Sequence, residues 1–86
     1  MRQEASYFDG KDAVLVYVAR KLGDALRLES LLSTAGVDYG VQADHYHGGV
    51  IFRRQRVGAF FYVLPESVEI AHRIMRENKF PPFAEN

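Results

Sequence analysis

Cysteine is absent from these 86 residues. No disulfide can form and no thiolate can hold a metal, which points to a reducing compartment, because small secreted domains commonly carry disulfide staples. Charge of one sign is lacking as well, with eleven basic residues against eleven acidic ones. The chain therefore has none of the basic surplus that marks a general nucleic-acid binder. Its longest apolar runs, residues 13–19 and 59–64, fall far short of the roughly 20 residues needed to cross a bilayer. Met1-Arg2-Gln3-Glu4 is polar and has no apolar signal core behind it. A soluble, cytoplasmic domain is expected, with neither membrane nor nucleic acid as its partner.

The rest of the composition is that of a folded chain: 48% hydrophobic, 13% aromatic, 26% charged. The length allows a single domain, with a core over residues 12–78 flanked by an N-terminal segment 1–11 and a C-terminal tail 79–86.

Ala13-Val14-Leu15-Val16-Tyr17-Val18-Ala19 is β-branched, aromatic and apolar on both faces, which predicts a central strand. Gly23-Asp24 predicts a helix start with Asp24 as its cap. Ala25, Leu28, Leu31, Leu32 and Ala35 then share one helical face, and Gly36 sits where a left-handed turn commonly ends a helix. Val37, Tyr39 and Val41 alternate with polar residues or glycine, as in a half-buried strand. Asp44-His45-Tyr46-His47-Gly48-Gly49 reads as a loop, and Val50-Ile51-Phe52 as extended chain. Residues 53–58 are either a hairpin or a bulge within one longer strand. Ala59-Phe60-Phe61-Tyr62-Val63-Leu64 is a second strand that is apolar on both faces. Pro65 opens a second helix with Val68, Ala71, Ile74 and Met75 as its stripe, ending at Asn78.

The order predicts an α+β, ferredoxin-like β-α-β-β-(β)-α sandwich, with helices on one face of a mostly antiparallel sheet. Leu28, Leu32, Phe60, Val63, Ala71 and Ile74 are expected to share its core. Two helices cover one sheet face only. Either Leu15, Tyr17, Phe60 and Tyr62 or Val14, Val16, Phe61 and Val63 are then surplus, which predicts a homo-oligomer formed through the sheet. The competing possibility is that residues 1–11 and 80–83 fold back as a lid.

Ala25-Leu26-Arg27-Leu28-Glu29-Ser30-Leu31-Leu32-Ser33-Thr34-Ala35-Gly36-Val37, with Gly48-Gly49, Val63-Leu64-Pro65-Glu66-Ser67 and Ala71, resembles a small bacterial signal-transducing protein family. That family has a PII-like relative of the ferredoxin-like fold. The resemblance spans residues 12–77. It implies a regulatory, non-enzymatic domain with a protein partner, and brings no catalytic residue and no cofactor with it.

Candidate chemistry is sparse. His45 and His47 have the spacing at which an extended segment turns two imidazoles to one side, with Asp44 or His72 to complete a metal site. Two solvated loop histidines are the plainer reading, and no metal is expected. Arg53, Arg54 and Arg56, beside Gly58, form the one local basic cluster, able to hold a phosphate or carboxylate. The plainer reading there is a charged hairpin that keeps a sheet edge soluble. A small-ligand domain built on these residues is thus the alternative function. Val16-Tyr17-Val18 and residues 56–61 echo the two RNA-recognition signatures, but Val57, Gly58 and Phe61 break the second, so a diverged RNA binder is a further alternative. Ser6, Ser30, Ser33 and Ser67 have no evident base beside them, and Asp38 and Asp44 are not a pair on spacing alone. No catalytic residue is expected.

Overall fold

The computed structural model describes residues 1–48 and 54–80. Its elements run from a 3₁₀ turn (Ala5–Phe8) through β1 (Val14–Ala19), α1 (Leu22–Thr34), β2 (Tyr39–Gly48) and β3 (Arg54–Val63) to a 3₁₀ turn (Pro65–Ser67) and α2 (Val68–Glu77). β3 lies in the middle of a three-stranded sheet of order β1-β3-β2, antiparallel to both neighbours. The molecule is therefore α+β, with two helices and an antiparallel sheet, and β1 adjoins the strand that leads into α2 as expected.

The apolar stripes explain the core. Ala25, Leu28 and Leu32 of α1 and Ala71 and Met75 of α2 are buried against Val16, Ala19, Phe61, Val63 and Tyr39 of the sheet. Leu31, Val68 and Ile74 pack around them. Phe60 is not part of this core. It pairs with Val18 and Gln42, one step out of phase with Phe61, and so belongs to the other face.

A bulge sets which residues face the helices. The β1–β3 register runs Leu15↔Tyr62 and then Tyr17↔Phe61, leaving Val16 as the extra residue. Both Val16 and Tyr17 thereby join the helix side, while Leu15 and Val18 go to the open side with Phe60 and Tyr62. Neither alternation expected from sequence is realised unaltered.

Several boundaries move. α1 starts at Leu22 with Lys21 at its N-cap, so Asp24 sits in the first turn, where its charge still suits the helix dipole. Pro65 opens a 3₁₀ turn, and α2 follows from Val68. β2 continues through Gly48, so the expected loop at 44–48 is strand instead. Ten rungs of backbone pairing with β3 satisfy the polar groups on the inner side of β2. Residues 54–58 lie within β3, which excludes a hairpin turn there. The segment 49–53 is outside the described residues.

Both helices end in the same way. At the end of α1 the amides of Gly36 and Val37 bond to the carbonyls of Ser33 and Leu32, with Gly36 at φ +74°. At the end of α2 the amides of Lys79 and Phe80 bond to Arg76 and Met75, with Lys79 at φ +63°. Each is a Schellman motif, and each delivers the next apolar residue, Val37 or Phe80, into the core. Phe80 meets the Tyr17 ring edge-on at 5.4 Å and lies under the Arg27 guanidinium. It closes the helix side of the sheet and is no lid on the other face.

Candidate interaction surface

Residues 1–11 do fold back. Arg2 forms a parallel bridge with Tyr39, whose amide donates to Met1 O at 3.1 Å and whose carbonyl accepts from Gln3 N at 2.8 Å. Tyr39 faces Val63 at a rung where its backbone groups point away from β3, so this short strap completes them. The Met1 amino group also donates to Val37 O.

Asp38 anchors the strap. It accepts from Gln3 Nε2 at 3.1 Å and from the Tyr7 hydroxyl at 3.2 Å, with the Met1 amino group at 3.8 Å. The Gln3 hydrogen bond first, then those of Tyr7 and the nearby positive charges, hold Asp38 below the ordinary carboxylate value, against partial desolvation. Burial, reinforced by Asp38, raises the Tyr7 phenol. Lys11 Nζ sits 3.9 Å from the Tyr7 ring centroid, a cation–π contact.

The Phe8 ring lies over Gly40 on the open side of the sheet. A β-carbon at position 40 would stand 2.6 Å from it. Beside Phe8 runs a groove of ≈ 450 Å³ lined by Gln3, Phe8, Ala13, Gly40, Gln42 and Tyr62, with Val41 at its rim. Beyond it towards β1, Leu15, Val18 and Phe60 are half-buried.

The residues singled out from sequence fall elsewhere. His45 pairs with Val57 and His47 with Gln55, in the same alternation as Tyr39 and Val41. Arg56 pairs with Tyr46 and Arg54 with Gly48, in the opposite alternation. The register thus brings the two histidine positions together and sets the two arginine positions apart from them. Arg53 is outside the described residues. Asp38 precedes β2 and Asp44 lies well along it, roughly 20 Å away at the usual rise per residue, so they form no pair. His72 lies on α2 beside Glu69, Arg73 and Arg76, away from the two strand histidines.

Two hydroxyls and a carboxylate form a hydrogen-bonded trio. The Tyr39 hydroxyl donates to Glu29 Oε1 at 3.2 Å and shares a 3.2 Å hydrogen bond with Ser33 Oγ, while Arg2 approaches the same carboxylate at 3.4 Å. Burial, with Glu29 adding to it, raises the Tyr39 phenol despite the Ser33 hydrogen bond. These hydrogen bonds fasten α1 to β2.

The fold-back of residues 1–11 was the competing expectation, but its anchors at Asp38, Tyr39 and Gly40 were not foreseen. The signals for them were the Tyr7-Phe8 pair in a polar segment and a glycine inside a strand, which often marks a close approach. Comparison with protein families, curated proteins and solved structures finds no match for this chain. Among the described residues no helix is long and apolar enough to cross a membrane.

Proposed function

We propose that this chain is a non-enzymatic regulatory module of ferredoxin-like shape that works by protein association, its partner being a second copy of itself met along β1. One observation carries this reading. β1 has six residues without charge or proline, and among the described residues its only ladder is with β3. Soluble proteins blunt such edges with charges, prolines or cover. A ferredoxin-like sheet places a further strand on this edge. Pro81 and Pro82 suit the following segment poorly for that role. An uncharged edge offers no charge pattern to a charged partner, and another β1 matches it. Antiparallel pairing of two β1 strands about a twofold axis joins the sheets and brings Leu15 and Val18 of each copy to the seam. The resemblance of residues 12–77 to a signal-transducing family, and a cysteine-free composition suited to the cytoplasm, support a regulatory role there.

Light scattering across a tenfold dilution series is the test. A dimer mass at the concentrated end is expected, reduced to a monomer in Leu15→Lys with an unchanged circular dichroism spectrum. A monomeric mass at every concentration in the unsubstituted chain overturns the proposal.

A further inference from the structure

We propose that residues 1–8 are a releasable strap whose detachment opens the groove over Gly40 and Tyr62 together with the first outer rung of β2. This goes beyond the β1-edge reading, to a separate surface at the opposite edge of the sheet and to how that surface is controlled. The strap bonds to the backbone of Val37 and Tyr39, but its own side chains lie at the periphery. Met1, Arg2, Glu4 and Ser6 are exposed, and Gln3, Tyr7 and Phe8 are only half-buried. Its polar anchor, Asp38, keeps a side chain 41% open to solvent, so water competes for every hydrogen bond it accepts. Its apolar anchor is one ring seated on one glycine.

The connection to the body is built to bend. Residues 9–13 are all exposed, and Gly10 takes φ +73°, a left-handed turn open to glycine without strain. The turn is held by Lys11 N to Phe8 O and Ala13 N to Lys11 O, at 3.0 and 3.1 Å, both local. Releasing residues 1–8 therefore breaks no contact within the helix-side core. It uncovers Gly40, one wall of the groove, and the Tyr39 amide and carbonyl, which point outward and have the strap as their backbone partner. Low-stability segments over a binding surface are the usual material of such covers.

Amide exchange in the full chain reads the opening directly. The Gln3 and Tyr39 amides are expected to exchange through local opening, at least tenfold faster than the central amides of β3. Binding of the dye anilinonaphthalene sulfonate reads the uncovered groove. Phe8→Ala and, separately, Asp38→Asn are expected to raise its fluorescence several-fold while the circular dichroism spectrum stays unchanged. Exchange of Gln3 and Tyr39 at the global unfolding rate overturns the proposal, as does dye binding that neither substitution alters. Both readouts are independent of molecular mass, so a strap that opens on a strictly monomeric chain removes the dimer reading and leaves this one standing.

Discussion

At position 40 a single methyl group is too much. A β-carbon there meets the Phe8 ring at 2.6 Å, and because that ring is the far end of a movable side chain, the ring yields before the strand does. Gly40→Ala is therefore expected to dislodge Phe8, seen as faster exchange at the Gln3 amide, with a melting midpoint only slightly lowered. Lys79 presents the opposite case. It holds φ +63° at the end of α2, where a β-carbon is costly and glycine is at ease. Lys79→Gly is expected to stabilise the fold by about 0.5–1 kcal/mol, measured by urea unfolding. Leu32, fully buried, should lose about 2–5 kcal/mol on truncation to alanine. A Leu32→Ala protein melting with the parent would refute the packing of α1.

Among the elements, the strap has a hold that depends on pH at both the acid and the alkaline end. Asp38 is depressed in the fold, so its contribution is complete above the ordinary carboxylate value of 3.8 and is lost as pH falls through the lower folded value. Tyr7 is raised, so its contribution is complete below 10.0 and is lost as pH rises through its folded value. Protection of the Gln3 amide, corrected for intrinsic exchange, should therefore be flat between these limits and fall at each end. Asp38→Asn should remove the acid-side loss. The helix ends show how unevenly elements announce themselves. Gly36 advertises the turn after α1, whereas the same turn after α2 is made by a lysine and leaves no mark in the residue types. What reveals it is Phe80, buried to 3% exposure beyond the last helical residue. Phe80→Ala should cost about 3–5 kcal/mol, measured by urea unfolding.

For the whole molecule, association and stability are linked. If the folded chains pair along β1, the melting midpoint rises with protein concentration, because the dimer binds only folded copies. That dependence should be visible over a hundredfold concentration range and vanish in Val18→Lys. A midpoint independent of concentration in the parent chain would argue that the β1 edge needs no second copy.

The residues of this chain by themselves determined the α+β class, the two helices, the pairing of β1 with β3, and the core stripe of α1. These follow from local periodicity, because an amphipathic helix or a two-sided apolar strand leaves few places to put its apolar atoms. The assignment of faces was not legible. In β1 every residue is apolar, so one inserted residue at Val16 inverts the alternation without changing the pattern. The extent of β2 was hidden too, since Gly48 and two histidines imitate a loop until ten rungs with β3 enforce a strand. The strap was least legible of all. Asp38, Gln3, Tyr7 and Gly40 are unremarkable apart, and only the chain reversal at residues 9–13 brings a ring over a glycine and two donors to one carboxylate. Such a site exists in the tertiary contacts and nowhere in the local sequence, because each of its interactions spans some thirty residues of chain.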